Sequence, residues 1–373
     1  MKNHEDRPNC TLFGSHKLKL GLFGTNCSYG LCVSTAPTTY RATWEHTLAI
    51  AQRADRIGFE ILVPIARWRG FGGTTDFNGT AFETYTWATG LLALTKRILI
   101  CATSHVPMVH PIVAAKQCVT ADHISDGRFA LNVVMGWFTP EAEMFGFQQM
   151  AHDVRYRYGL EWLNIVKRLW TEEDPFDFEG QFFRIRNGQA WPKPLQKPYP
   201  VLVNAGNSPE GLDFSARAVD FNFMTTSTLE TARTIVQDLK RRSKTYGREV
   251  GAMTYGLMVC RDTEREARED YQRIINMGDL EAVNNLLKVL GIECGSHDET
   301  IRNAAQRFIA GWGGYPLIGT PEQIVDECLK LSATGVDGVI LGFLDYYEEL
   351  EFFDRCVMPL LKQAGLRDTR ASY

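Results

Sequence analysis

Two polar residues stand in strand-like apolar runs, where their side chains could act on a ligand. Asn132 lies inside the run 129–134 (FALNVV), and Thr103 ends the run 98–103 (ILICAT). A buried amide must find hydrogen-bond partners or cost about 1–3 kcal/mol. Asn132 is therefore interpreted either as an amide that ties neighbouring strands together or as an amide aimed at a bound cofactor.

A third strand-like run, 201–204 (VLVN), ends in the small polar segment 205–208 (AGNS), which a proline follows. Ser208 has the position of an ordinary N-cap for the helix that this proline begins. The same helix start could instead bind a phosphate, because its free N–H groups and its dipole attract an anion. Arg157 and Tyr158 could add a guanidinium and a phenol to such a site.

The segment 67–73 (RWRGFGG) follows another strand-like run. Trp68 between Arg67 and Arg69 would suit a flat, partly anionic ligand, since the ring can stack and the guanidinium groups can bind an anion. The alternative is a flexible, exposed loop, for which the glycines are equally suited.

Secondary-structure elements must position these residues. Strand and helix patterns alternate along the chain. The predicted strands are 17–24, 59–64, 97–103, 128–134, 200–205, 220–225, 253–260 and 337–343. The predicted helices are 43–57, 82–95, 111–125, 153–170, 209–218, 228–245, 263–277 and 321–334, with a final helix at 347–364. This alternation predicts a single (β/α)8 TIM barrel, with an open doubly wound sheet as the alternative. In a barrel the third and fourth strands are neighbours, which would place Thr103 and Asn132 side by side.

Two segments exceed the minimal barrel and are predicted insertions, after the fourth and seventh strands. Residues 171–199 contain the run 176–183 (FDFEGQFF), a predicted hairpin across Glu179-Gly180. Residues 279–316 are a candidate lid, because insertions after a barrel strand commonly cover the active site. No linker divides the chain, so residues 1–373 are predicted to form one domain.

Composition argues against several classes of protein. The net charge of −4 and the pI near 6.1 provide no basic surface for nucleic acid. No segment is long and apolar enough to span a membrane, and the N-terminus has no apolar core of a secretory signal. The nine scattered cysteines form no Cys-x-x-Cys pair, which favours a reducing cytoplasm over disulfides or zinc. The sequence contains no dinucleotide fingerprint and no Walker lysine, and it predicts no metal site.

In this order, the motifs resemble the bacterial luciferase-like flavin monooxygenases. The resemblance is greatest to the branch of the pyrimidine-ring-opening (uracil) monooxygenases and the sulfone monooxygenases, and it runs from the first strand to Pro359. It rests on 69–73 (RGFGG), 132–137 (NVVMGW), 140–141 (PE), 152–156 (HDVRY), 205–208 (AGNS), 214–223 (FSARAVDFNF) and 319–322 (GTPE).

The resemblance implies flavin contacts from Ala66, Arg67, Asn132, Glu141, Arg157, Tyr158 and Ser208. It places an oxygen pocket beside flavin N5 at Thr103 and Asn132, which would make both catalytic and favour a flavin-N5-peroxide over a C4a adduct. Arg67 stands where the ring-opening pattern has lysine and keeps the charge. Met135 replaces a small hydroxyl residue, which implies a bulkier, less polar pocket wall and makes uracil less suitable.

The resemblance further implies a two-component monooxygenase that uses O2 and reduced FMN, with the flavin supplied by a separate NAD(P)H:flavin reductase. The predicted substrate pocket is lined by Trp68, Arg69, Trp137, Phe138 and Phe343. An apolar space with an arginine favours a small organosulfur substrate, a sulfone or a sulfonate, and the tail 342–349 (GFLDYYEE) resembles the sulfone enzymes. A homodimer or homotetramer is expected, since exposed barrel helices in this group usually pair.

Four alternatives remain from the sequence. The same chemistry could open or dehalogenate a heterocycle or another small molecule. The chain could be a deazaflavin-dependent reductase on the same barrel, or a flavin-binding protein without turnover. It could also be a phosphate-binding barrel lyase that uses no flavin.

Overall fold

The computed structural model of the chain describes Arg7, residues 9–291 and residues 299–368. Its strands are β1 (Lys19–Phe23), β2 (Ile61–Val63), β3 (Leu99–His105), β4 (Phe129–Val134), β5 (Phe176–Glu179), β6 (Arg184–Gly188), β7 (Val201–Asn204), β8 (Phe221–Met224), β9 (Gly251–Cys260), β10 (Leu317–Gly319) and β11 (Gly338–Gly342). All but the β5–β6 hairpin and the short β10 match the eight predicted strands.

Helices follow the parallel strands in alternation. They are α1 (Trp44–Ile57), α2 (Thr84–Leu94), α3 (Pro111–Ile124), α4 (Thr139–Met144), α5 (His152–Thr171), α6 (Pro209–Ala218), α7 (Leu229–Thr245), α8 (Glu264–Asn276), α9 (Leu280–Val289), α10 (Glu299–Ile309), α11 (Pro321–Ala333), α12 (Tyr346–Phe352) and α13 (Met358–Gln363). The fold class is the (β/α)8 barrel, as predicted.

The described residues divide into two compact units that interleave along the chain. The first unit lies within Met1–Gly14, Glu83–Phe223 and Asp238–Gly251, and the second lies within Ser15–Phe82, Met224–Gln237 and Ala252–Tyr373. In the first unit, β3, β4, β7 and β8 pair in parallel in that order. In the second unit the parallel order is β10, β9, β11, β1 and β2.

The parallel strands are buried along most of their length, because helices cover one face and packed side chains the other. Every residue of β3 is buried, as is every residue of β9 except Gly251. Two helix starts carry residues that favour helix initiation. Pro111 is the first residue of α3, and Thr320 caps α11 in a reciprocal pair of hydrogen bonds with Gln323.

The predicted hairpin at 171–199 is confirmed, since β5 and β6 pair antiparallel and the turn begins at Gly180. The candidate lid at 279–316 contains α9 and α10, two helices that the sequence analysis did not predict. Its residues 292–298 lie outside the described residues, and its role as a lid stays a prediction. No helix in the described part of the chain is both long and apolar enough to cross a bilayer.

Candidate active site

The ends of β3 and β4 bring the predicted catalytic pair together. Thr103 and Asn132 are direct partners in the parallel register of these strands. The Asn132 Nδ2 donates to Thr103 Oγ1 at 3.2 Å. Both residues are buried, since Asn132 is only 4% exposed and Thr103 only 7%. The predicted adjacency of the hydroxyl and the amide is therefore confirmed.

The oxygen atom of the Asn132 amide, Oδ1, says more about function than the nitrogen does. This oxygen is buried and has no hydrogen-bond partner within the described residues. An unsatisfied buried acceptor costs about 1–3 kcal/mol. The alternative of an amide that only ties strands together leaves this atom unexplained, whereas a ligand with an N–H or O–H donor would satisfy it.

A buried histidine and glutamate extend the same end of the strands. His105 lies two residues after Thr103 in β3, so both side chains emerge on one face of the strand. The Nδ1 atom of His105 is 3.5 Å from Oε2 of Glu141, a predicted flavin contact at the start of α4. The sequence analysis assigned no role to His105 and missed this pair.

The predicted phosphate site lies at the start of α6. Ser208 is its N-cap, and Ser208 Oγ accepts a hydrogen bond from the Gly211 amide at 3.1 Å. The loop before it is tightly packed. A Cβ added to Gly206 would lie 2.6 Å from the Tyr156 hydroxyl and 2.8 Å from the Gly211 Cα. Only a glycine fits this backbone approach.

Tyr156 is the residue of α5 that meets this loop. Its hydroxyl lies between Gly206 and Gly211, and it shares a hydrogen bond with Ser208. Burial raises the pKa of Tyr156 above its usual range, and the bond with Ser208 opposes that rise only in part. The phenol therefore stays protonated at neutral pH and can donate to an anion.

Arg157 and Tyr158, the two predicted contacts on α5, face the hairpin instead. The guanidinium of Arg157 is 3.3 Å from Asp153 and 3.4 Å from the Gln181 side chain. The Tyr158 ring packs against the rings of Phe182 and Phe183. Their roles as flavin contacts stay predictions, and Tyr156 is the residue that the sequence analysis overlooked.

Trp137 and Phe138 follow β4, and their ring centroids are 5.8 Å apart. Phe138 is buried, and Trp137 is partly exposed. Met135 was expected to thicken the pocket wall. Its sulfur instead packs against Gly159 of α5, where an added Cβ would lie 2.2 Å away. The thioether thus fills the space between strand and helix.

In the second unit, the loop after β2 is partly buried and partly exposed. Arg67 is 8% exposed and lies over the Phe71 ring at 5.1 Å, next to the buried Ala66. Trp68 is 43% exposed and Arg69 is exposed. Phe343, the remaining predicted pocket residue, is buried and packs edge-on against Tyr346.

The N-cap and the second turn of α9 form hydrogen bonds with this loop. Asp279 accepts hydrogen bonds from the Thr75 amide at 2.6 Å and the Thr75 hydroxyl at 2.8 Å, and it also caps α9. Asn285 of the same helix donates to the Phe71 carbonyl at 2.8 Å. The beginning of the candidate lid segment is therefore hydrogen-bonded to the loop that carries Arg67.

Replacing Asp279 by asparagine is expected to lower the melting temperature by about 2–4 °C at pH 7. Burial alone would raise the pKa of Asp279, but the hydrogen bonds from Thr75 and Ala282 lower it below the usual range. The stabilisation is therefore present above the unfolded-state pKa of about 4 and is lost as the pH falls through the folded-state value. Melting curves of both proteins from pH 7 to pH 3 test this, and a difference that does not shrink with acid would contradict it.

A (β/α)8 barrel with buried polar side chains at the carboxyl ends of its strands is the arrangement of a barrel enzyme. The described residues contain no group of three or more His, Cys, Asp or Glu that could hold a metal ion. Residues 23–338 match the luciferase-like monooxygenase family, and the chain belongs to that family.

Two kinds of relative share almost the whole chain. The FMNH2-dependent dimethylsulfone monooxygenase of Pseudomonas putida is 33% identical over 358 residues, which cover 94% of this chain and 96% of that protein. The pyrimidine monooxygenase RutA of Acinetobacter baylyi is 31% identical over 356 residues, which cover 92% of this chain and 95% of that protein. Both kinds of enzyme belong to the branch that the sequence analysis expected.

Solved structures show the same fold. A riboflavin lyase crystallised with modified FMN and riboflavin superposes with a TM-score of 0.87, at 20% identity, and covers 96% of this chain and 94% of its own. DmoA from Hyphomicrobium sulfonivorans superposes with a TM-score of 0.84 at 20% identity, covering 96% of this chain and 91% of its own. At this identity the likeness supports the barrel alone.

Proposed function

We propose that this protein is a two-component monooxygenase that uses reduced FMN and O2. The observation that carries the proposal is the Thr103–Asn132 pair, whose buried Oδ1 acceptor lacks a partner among the described residues. A flavin ring presents N–H donors at its edge, so it fits this acceptor. Relatives named as FMNH2-dependent monooxygenases support the choice of cofactor.

In the first unit, Asn132 and Glu141 would hold the flavin ring, and Ser208 and Tyr156 its phosphate. Arg157 and Tyr158 stay predicted contacts, as do Ala66 and Arg67 of the second unit. Reduced FMN supplies the electrons that activate O2, and the protein orients the reactants and excludes water. Thr103 and Asn132 would place O2 against the ring through their hydroxyl and amide groups.

The proposed substrate is a small sulfone or sulfonate. Support comes from the dimethylsulfone monooxygenases, at 32–33% identity. The candidate pocket residues stay predictions, namely Trp137 and Phe138 in the first unit and Trp68, Arg69 and Phe343 in the second. Oxidative opening of a heterocycle is the second candidate, because pyrimidine monooxygenases are nearly as similar. The side chain of Met135 packs on Gly159, which weakens the sequence-based argument against a pyrimidine.

We also propose that a separate NAD(P)H:flavin reductase supplies the reduced flavin, that residues 1–373 act as one domain and that the protein forms a homodimer or homotetramer in the cytoplasm. The relatives' dependence on FMNH2 supports the reductase. The eight cysteines in the described part of the chain are free, which agrees with a reducing compartment.

The test is a titration with reduced FMN under nitrogen, followed by rapid mixing with O2 while the absorbance is recorded. We expect tight binding, an absorbance transient that differs from free flavin, and oxidation of dimethylsulfone in excess over the control without protein. Binding without oxygen consumption would support a flavin-binding protein without turnover. Failure to bind FMN would leave the deazaflavin-dependent reductase and the flavin-free lyase.

A further inference from the structure

The segment 214–223 (FSARAVDFNF) belongs to the resemblance but has no role in the site described so far. It contributes two buried polar side chains, Ser215 on α6 and Asn222 on β8, both at 0% exposure. Polar groups this deep are costly unless they are hydrogen-bonded, so their partners show what they do.

Their first partner is Asn204, the last residue of β7 and itself buried. The Asn204 Oδ1 accepts from the Ser215 hydroxyl at 2.9 Å and from the Gly206 amide at 2.9 Å. The Asn204 Nδ2 donates to the carbonyl of Val133 at 2.6 Å. Val133 follows Asn132 in β4, so one side chain joins the loop before α6 to the strand of the candidate catalytic amide.

Asn222 completes the arrangement from the neighbouring strand. Its Nδ2 lies 3.0 Å from the Gly206 carbonyl, 2.9 Å from Ser215 Oγ and 3.3 Å from the Asn204 carbonyl. Gly206 is therefore held at both of its peptide groups, its amide by Asn204 and its carbonyl by Asn222. The position of the loop is set by a buried network and not by contacts with solvent.

We propose that Ser215 and Asn222 are positioning residues for the phosphate group of the flavin. The inference rests on the proposed function, because it assigns the loop 205–208 and Ser208 to that phosphate. Backbone amides bind an anion well only when they already point at it, since reorienting them on binding costs free energy. The network supplies that orientation without touching the ligand.

The test compares two ligands that differ only in the phosphate. Reduced FMN and reduced riboflavin are titrated under nitrogen into the wild-type protein and into Ser215→Ala, which removes one oxygen atom and leaves the packing almost intact. We expect the Kd for FMN to rise about tenfold, because the substitution removes one buried hydrogen bond. The Kd for riboflavin should stay within about twofold of the wild-type value.

The matched control is Ser34→Ala in the second unit. Ser34 is as buried as Ser215, and its hydroxyl donates to the Ile274 carbonyl at 2.8 Å. We expect it to leave both flavin affinities unchanged. Asn222→Ala should act in the same direction as Ser215→Ala, and the double variant should lose less than the product of the two single losses.

An equal loss for FMN and riboflavin in Ser215→Ala would overturn the positioning role, because a general loosening of the barrel has no preference for the phosphate. An unchanged affinity of Ser215→Ala for FMN would overturn it as well. A wild-type protein that binds both flavins equally would overturn the phosphate site of the proposed function. This failure is distinguishable from a failure of the positioning role, because it appears before any substitution is made.

Discussion

Replacing Asn132 by alanine is expected to lower the rate of substrate oxidation about 10²-fold, because the amide would no longer position the flavin ring and the Thr103 hydroxyl, and a misplacement of about 1 Å has a cost of that size. The amide is buried, its Nδ2 is directed at Thr103, and its Oδ1 has no partner within the described residues. It therefore has one group fixed by the protein and one group left for a ligand. Single-turnover oxidation with preloaded reduced FMN measures the rate independently of flavin binding.

Thr103 provides the matched comparison. Thr103→Val keeps the shape of the side chain and removes the hydroxyl, so it should lower the same rate by a similar factor. Thr103→Ser keeps the hydroxyl and should retain most of the rate. If Asn132→Ala and Thr103→Val both oxidise substrate at the wild-type rate, the two residues tie strands together and do nothing more.

Replacing Gly206 by alanine is expected to raise the Kd for FMN about 10- to 100-fold, which corresponds to about 1–3 kcal/mol of overpacking. The added Cβ would lie 2.6 Å from the Tyr156 hydroxyl, 2.8 Å from the Gly211 Cα and 2.9 Å from Asn204 Oδ1. Two of these three groups are fixed by the network or by the helix backbone, so the loop itself must move away from its position. The affinity for FMN is read from a titration under nitrogen.

Gly146→Ala is the control for this substitution. An added Cβ there meets nothing within 4 Å, although the residue has a φ of 81° that a side chain disfavours. It should reduce stability slightly and leave the Kd for FMN unchanged. A Gly206→Ala protein with wild-type affinity for FMN would show that the loop before α6 does not contact the phosphate.

The barrel was predictable because both its strands and its helices leave recognisable local patterns in the sequence. Runs such as 129–134 and 201–204 are apolar except for one asparagine each, as expected of strands buried on both faces, and the helices between them begin with recognisable caps. The pairing of Thr103 with Asn132 followed from the order of strands in a barrel. The helices α9 and α10 were missed because the region was treated as one insertion without elements of its own.

Which side chains of α5 face a given neighbour could not be predicted in the same way. Arg155, Tyr156, Arg157 and Tyr158 are consecutive, and about 100° separates each from the next around the helix axis. The sequence identified an arginine and a tyrosine for the phosphate but not which pair of them faces the loop. Packing of α5 on α6 and on the hairpin turned Tyr156 toward Gly206 and Tyr158 toward Phe182 and Phe183.

The sequence by itself determined the class of fold, the family and the two strand ends that carry the candidate site, because these depend on patterns repeated locally along the chain. Only the tertiary structure decided which side chains meet there. Asn204, Ser215 and Asn222 come from three different elements, and their hydrogen bonds exist only once β7, α6 and β8 have packed together. A side-chain network of this kind has no period and no fixed spacing, so it cannot be read from the chain before the chain has folded.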